Sequence, residues 1–331
     1  MASERHALTA ARPGWSRLRL RQTGHLRDLV SETGFSAAQL IQPLFAIEDL
    51  SGSELIAGLG DNARHGTDAA LETIARDLAA GVRHFMLFAV PATKETHGLT
   101  FRHLASTISA IKARFDDALH LWVDICLCSS TTHGHCALLD EHDRIDLGAT
   151  LDALGQAAVE AARAGADGVS PSDMMDGRTA HLRAALDASG HDRVPIMSYS
   201  TKFASHFYGP FREAADSAPQ FGNRRHYQLD VRSRRDAIGS SVRCAEEGAD
   251  LLMVKPAMTS LDLIGPIAEQ TGAPVGAYQV SGEYASLVAL ADRGFADLDA
   301  VLGETLLVLR RAGAAFIITY GARRATLLGL A

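Results

Sequence analysis

The feature that most constrains this chain is an alternation. Short apolar runs recur eight times, at Leu40–Ile47, His84–Val90, Leu119–Cys126, Gly168–Ser172, Val194–Ser200, Asp250–Pro256, Pro274–Val280 and Phe316–Tyr320. They are rich in Val, Ile, Leu and Phe, as strands buried on both faces must be. Longer amphipathic segments lie between them. Asp68–Gly81 places Ala70, Ile74 and Leu78 on one stripe and ends in Gly. Gly148–Gly165 and Leu298–Gly313 behave alike, and Arg310 and Arg311 fall in the last turn of the latter. "RAGADGVSP", "EEGADLLMV" and "RAGAAFIIT" carry the same Gly-Ala stop before a strand. This recurrence predicts a repeated helix-to-strand turn, not a sequence repeat.

Strands alternating with helices form a parallel sheet, and eight strands can close it into a barrel. An open doubly wound sheet is the competing arrangement. It carries a Gly-rich phosphate loop after its first strand, and Phe45-Ala46-Ile47-Glu48 is not one. The expected fold is therefore α/β, a (β/α)8 TIM barrel. At 331 residues the chain exceeds a bare barrel of about 250 residues. The surplus includes an extended N-terminal arm, residues 1–35, ahead of a catalytic barrel domain, residues 36–331, with no Pro/Gly/Ser linker between them. The arm is expected to pack on a neighbouring subunit.

Composition removes other classes. The net charge of -7 is mild and spread along the chain, whereas a nucleic-acid binder shows a basic patch. No apolar run reaches the roughly 18 residues of a membrane span. The start, Met1 to Gln22, is polar and Arg-rich without the apolar centre of a signal peptide. Such a start also occurs in organelle transit peptides, although Glu4 weighs against that reading. A cytoplasmic location is expected.

Catalytic groups of such a barrel gather at the C-terminal ends of its strands. The unusual polar residues fall there: Asp124 and Cys126, Ser172 and Asp173, Lys202, Lys255, Ser281 and Tyr320. Lys255 ends the apolar run "DLLMVKPAM". A buried ammonium is costly, so this lysine either snorkels to solvent or serves as a neutral amine. A free lysine is only about 0.04% neutral at pH 7. Desolvation or a second cation raises that fraction. Lys202, in "SYSTKFASHFYGPFR", ends the adjacent strand and can be that cation. Two amines at neighbouring strand ends suggest carbonyl chemistry through Schiff bases.

Three of the four cysteines crowd into "DICLCSSTTHGHC". Disulfide frameworks spread their cysteines more evenly, so metal binding and inert buried thiols are the two readings. Residues i and i+2 of a strand share a face, which predicts that Cys126 and Cys128 offer both sulfurs to one ion while the loop returns Cys136. Thiolates favour zinc, and three protein ligands leave a catalytic position open. His133 and His135 are expected to orient the loop or bind substrate water. Arg212 and Arg224 lie in a long loop with Gly, Pro and aromatic residues, like a lid, and can clamp a carboxylate. Asp173 can cap the next helix, and for Asp176 capping is the preferred reading.

Together "RLRLRQTGHLRDLVSETG", "LIQPLF", "VDICLCSSTTHGHC", "GVSPSDMMDGR", "SYSTKFASHFYGPFREAA", "GNRRHYQLD", "EGADLLMVKPAM", "YQVSGEYA" and "RAGAAFIITY" resemble the porphobilinogen synthase (5-aminolevulinate dehydratase) family, zinc type. They occur in family order over nearly the whole chain. The resemblance implies a lyase that condenses two 5-aminolevulinate molecules to porphobilinogen with loss of two waters, for haem biosynthesis. It places Schiff bases on Lys255 and Lys202 and Zn2+ on Cys126, Cys128 and Cys136, with Asp124 beside them. It implies Arg212, Arg224 and Gln228 around one substrate carboxylate, Ser281 and Tyr320 at the other, and Tyr208 and Phe211 lining the pocket. It implies a homo-octamer whose arms embrace neighbours. A diverged relative using the same chemistry on another amino-ketone is the alternative.

Some positions depart from the family pattern. "IAGLGDNARHG" replaces a Met-Pro-Gly stretch, Ser260 a Tyr, Ser286 a Met and Asn223 an acidic residue, and Gly321-Ala322-Arg323 replaces an aromatic-Ala/Thr-Pro. Ser240 stands where members with allosteric Mg2+ carry Glu, so activation by magnesium is not expected.

Overall fold

The computed structural model describes residues 17–330. The chain divides into two units, Met1–Gly34 and Phe35–Ala331. In the described part of the first, a 3-10 turn at Arg17–Arg21 precedes a helix at Gly24–Leu29. Thr23 Oγ1 caps that helix by accepting the Leu26 N–H at 3.2 Å. No residue of the helix is buried, and Leu29 and Val30 are exposed.

The second unit contains strands β1 (Leu40–Ile47), β2 (Ser53–Leu55), β3 (Ala63–His65), β4 (His84–Val90) and β5 (His120–Ile125). It continues with β6 (Gly168–Pro171), β7 (Met197–Lys202), β8 (Leu251–Lys255), β9 (Val275–Gln279) and β10 (Ile317–Thr319). Eight of them run parallel in the order β6-β5-β4-β1-β10-β9-β8-β7. A parallel bridge from Val169 to Ile196, and a bond from Val169 N–H to Pro195 O at 3.0 Å, join β6 to β7. The strand ring is thereby nearly closed into the expected (β/α)8 barrel. Each barrel strand lies within a few residues of its apolar run. The sequence pattern missed the antiparallel hairpin β2–β3, whose strands are three residues each and too short for a period to register.

Helices lie between the strands, among them Thr67–Ala79, Arg102–Phe115, Leu147–Arg163, Arg178–Ala188, Arg234–Glu246, Leu261–Thr271, Ser281–Asp292 and Leu298–Arg311. The recurring Gly-Ala stop has a common cause. Gly165, Gly248 and Gly313 have φ of 103°, 96° and 105°, a left-handed conformation that costs glycine little. Each turns a helix end back toward the next strand. Close packing needs glycine elsewhere: a Cβ on Gly276 would lie 2.1 Å from the Phe316 ring.

Two local expectations fail. β5 ends at Ile125, so Cys126 and Cys128 belong to the following loop and not to a strand face. Asp176 caps nothing. Gly177 occupies the N-cap of helix Arg178–Ala188, and the Asp176 carboxylate pairs with Arg243 at 3.2 Å on the surface. Asp173 is buried within the turn, where it accepts the Met175 N–H at 2.7 Å and lies 3.8 Å from Arg178 Nε.

Candidate active site

The site grows from two adjacent strand ends. Lys202 closes β7, Lys255 closes β8, and they are direct register partners. Both side chains are buried, at 5% and 3% exposure. Strict alternation along β7 would send Tyr199 and Lys202 to opposite faces. A register shift between Ser198 and Thr201 prevents this. Ser200 and Thr201 both turn outward to Ser241 Oγ, at 2.9 and 2.7 Å, and Thr201 also donates to Ala237 O. Tyr199 and Lys202 are thereby both left facing inward.

Four aromatic rings surround the Lys255 amine. Its Nζ lies 4.1 Å from the Tyr278 ring centroid, 4.9 Å from Phe211, 5.0 Å from Tyr199 and 5.3 Å from Tyr208. Phe211 packs in turn on Phe45 and Phe88 of β1 and β4, at 5.7 and 5.1 Å between centroids. Burial, and then the neighbouring Lys202 charge, hold the Lys255 amine well below the usual lysine range. The Lys202 Nζ lies 5.6 Å from the Tyr199 ring and donates to Ser172 O. Asp124, on β5, is pushed up to about 7 by burial, against the opposing pull of Lys202. Its Oδ1 is buried without a hydrogen-bond partner.

The thiols lie close enough to the same two amines for their charges to interact. The Sγ atoms of Cys126, Cys128 and Cys136 all fall within 4.8 Å of one another, and Cys126 and Cys128 are 3.3 Å apart. Hydrogen bonds from Cys126 and Cys136 hold the Cys128 thiol well below its ordinary value, whereas Cys126 is raised. The triad is all sulfur, and its spacing suits one metal ion held by three thiolates. The loop, not a strand, brings the sulfurs together. Thr131 Oγ1 donates to His135 O at 2.8 Å, and the His135 N–H bonds His133 Nδ1 at 3.1 Å. The His135 ring bridges Tyr227 Oη at 3.1 Å and Phe221 O at 3.0 Å. The two histidines orient the loop, and neither belongs to the sulfur cluster.

Arg224 is buried, with its guanidinium bonded to Gly134 O at 2.9 Å and to Ser217 O. Burial opposes its charge, but Cys136 and Cys128 more than offset that and raise it above the usual arginine value. Arg212 is held below the ordinary value by burial and by Arg224 beside it. Arg212 Nε, Arg224 Nε, both side-chain polar atoms of Gln228 and the Tyr320 Oη are buried without partners. Ser281 Oγ accepts the Phe211 N–H at 3.1 Å, and Tyr208 Oη donates to Phe203 O at 2.8 Å. These bonds fix a short helix, Gly209–Ala214, that carries Phe211 over Lys255; Arg212 therefore sits on a helix and not in the loop that the sequence suggested.

The sequence reading missed Tyr199, Tyr278, Phe45, Phe88 and Glu283. Tyr199 left a signal, an aromatic residue three positions before a strand-end lysine, but only a bulge makes that spacing meaningful. Glu283 is buried in the first turn of helix Ser281–Asp292. It accepts the N–H groups of Met258 at 2.7 Å, Thr259 at 3.3 Å and Val280 at 2.8 Å, which ties the segments after β8 and β9 together.

Most departures from the family pattern take up structural contacts. Ser240 Oγ donates to Ser200 O at 2.7 Å, and Ser286 Oγ to Glu283 O at 2.6 Å. Asn223 Oδ1 accepts the Arg225 N–H at 2.9 Å. A Cβ on Gly321 would lie 2.5 Å from a Leu302 methyl carbon. Arg323 pairs with the buried Asp77 at 3.2 Å, and its N–H bonds Gln42 Oε1 at 3.1 Å. Ser260, buried, is the N-cap residue of helix Leu261–Thr271 but makes no side-chain capping bond.

Two buried amines at the strand ends of a parallel barrel, with a thiol triad nearby, define a class: a (β/α)8-barrel enzyme. Comparison with known proteins gives the family. Residues 16–327 match the profile of delta-aminolevulinic acid dehydratase. The enzyme of that name from Halalkalibacterium halodurans is 40% identical over 92% of this chain and 94% of its own length. That of Archaeoglobus fulgidus is 39% identical over 92% and 95%. The porphobilinogen synthase of Toxoplasma gondii, solved with the reaction product porphobilinogen, superposes with a TM-score of 0.89 at 36% identity, covering 95% of this chain and 91% of that one. The chain belongs to the delta-aminolevulinic acid dehydratase family. Among the described residues, no helix is long and apolar enough to cross a membrane.

Proposed function

We propose that this chain condenses two molecules of 5-aminolevulinate to porphobilinogen, with Schiff bases on Lys255 and Lys202. The observation that carries this reading is the direct pairing of the two lysines across β7 and β8, both buried. A desolvated amine with a second cation beside it stays neutral enough to attack a ketone. Lys255, its charge disfavoured by burial, fits the first nucleophile. Imine formation there acidifies the carbon next to the former ketone and makes the imine carbon a better electrophile. Lys202 would hold the second substrate on the adjacent strand.

The buried, unpaired polar atoms support the substrate contacts. Gln228, Arg212 and Arg224 would receive one carboxylate and Tyr320 the other, joined there by Ser281, whose hydroxyl already accepts the Phe211 N–H. Tyr208 and Phe211 would line the pocket and exclude water from hydrolysable imines. Asp124, poised near 7, is suited to hold or release a proton beside Lys202. Cys126, Cys128 and Cys136 would hold Zn2+, which as a Lewis acid would polarise a substrate oxygen or amine. The arm, with Leu29 and Val30 exposed, is proposed to pack on a neighbouring copy in a homo-octamer.

The direct test is an assay for porphobilinogen after incubation with 5-aminolevulinate. Product should form and should be lost on chelation, then return with zinc. No product from a zinc-loaded, folded enzyme would refute the reading. An imine trapped on Lys255 without product would favour another amino-ketone as substrate.

A further inference from the structure

Tyr199 Oη is a buried hydroxyl that makes no full hydrogen bond, with the Asp124 carboxyl beside it, on a residue that is fully buried. Among the described residues its ring is the one that adjoins both amines, at 5.0 Å from Lys255 Nζ and 5.6 Å from Lys202 Nζ. The β7 bulge creates this placement by turning Tyr199 and Lys202 to one face. Buried donors are almost always paired, with protein, water or ligand. Tyr278 and Tyr320 also carry unpaired hydroxyls. Their rings adjoin each other at 6.4 Å, and of the two lysines Tyr278 meets only Lys255.

We infer that Tyr199 is a further catalytic residue, whose hydroxyl donates a hydrogen bond to the substrate ketone oxygen at each of the two lysines. The inference rests on the proposed condensation. At either amine a C–N bond forms as the C=O π bond breaks, and the oxygen takes a proton from the attacking nitrogen. The resulting hydroxyl leaves as water with the nitrogen's remaining proton while the C=N bond closes. Tyr199 keeps its own proton throughout. Its hydrogen bond stabilises the oxygen while negative charge builds on it during addition, as a fixed donor does in an oxyanion hole. A hydroxyl on the ring that adjoins both amines can serve both from one residue.

Tyr199→Phe removes only the hydroxyl and keeps the ring. Single-turnover borohydride trapping with 5-aminolevulinate should slow on both Lys255 and Lys202, on the order of 100-fold. KM should stay within about twofold, because the bond strengthens in the transition state. The thermal midpoint should stay close to that of the wild type, since the ring and its packing are kept. Wild-type trapping rates at both lysines in Tyr199→Phe would overturn the inference, and slowing at one lysine alone would overturn the shared role. Failure of the condensation reading is seen separately, as wild-type enzyme that traps 5-aminolevulinate but releases no porphobilinogen.

Discussion

The lysine side and the thiol side of the barrel mouth stabilise opposite charge states. Around Lys255 the surface is aromatic, with ring centroids 4.1 to 5.3 Å from Nζ, and burial removes a positive charge. Around Cys128 two neighbouring thiols donate and Arg224 and Lys202 lie close, which favours the thiolate. Both regions are buried, so burial alone decides neither state. What differs is the supply of partners: rings replace hydration poorly for a cation, whereas donors and cations replace it well for a thiolate. Lys202 acts on both environments. It raises the cost of charging Lys255 and lowers that of ionising Cys128.

Each side can be broken separately. The largest effect is expected from Lys255→Ala, which should lower turnover by about 10⁴-fold or more while metal content stays at the wild-type level. Loss of metal in that variant would show that the two sides are one unit. Cys128→Ala should weaken metal binding at least about 100-fold and leave keto-acid trapping on Lys255 intact. Unchanged metal stoichiometry would remove the triad from the account. Lys202→Met should shift the acid limb of Lys255 trapping by a simple keto acid upward by about one pH unit. The sign follows from removal of a like charge, which lets Lys255 hold its proton to higher pH.

The smallest effect is on stability. The unfolded Lys255 amine keeps its proton to about pH 10.4, and the folded one releases it at lower pH. The unfolded state therefore binds more protons between those values, and the Lys255 contribution to stability rises with pH in that window. Lys255→Met should be the more stable protein near neutrality, and its advantage in Tm should shrink as pH climbs toward 10. A constant gap across that range would mean that Lys255 titrates alike in both states.

The two sides also differ in how far the sequence discloses them. The strands were legible because runs buried on both faces leave continuous apolar letters. Lys202, Lys255 and Asp124 stood out as polar residues ending such runs. The cysteines were legible by crowding alone, and the reason given for their proximity was wrong. Strand alternation does not reach Cys126, and a loop pinned by Thr131, His135 and Tyr227 gathers the sulfurs instead. The aromatic wall was half hidden. Tyr208 and Phe211 shared a motif with Lys202, but Tyr199 needed a bulge that no local pattern announces. Phe45, Phe88 and Tyr278 come from distant strands and meet Lys255 only once the barrel closes. Asp176 misled because a capping residue and a surface ion-pair partner look alike in sequence.

The central claim is that both amines engage substrate within one cavity. The most direct measurement is borohydride reduction under saturating 5-aminolevulinate, followed by peptide mapping by mass spectrometry. The account predicts reduced adducts on Lys255 and on Lys202, and on no other lysine. Porphobilinogen formation with Lys202 and Lys255 both unmodified, or an adduct confined to a surface lysine, would contradict it.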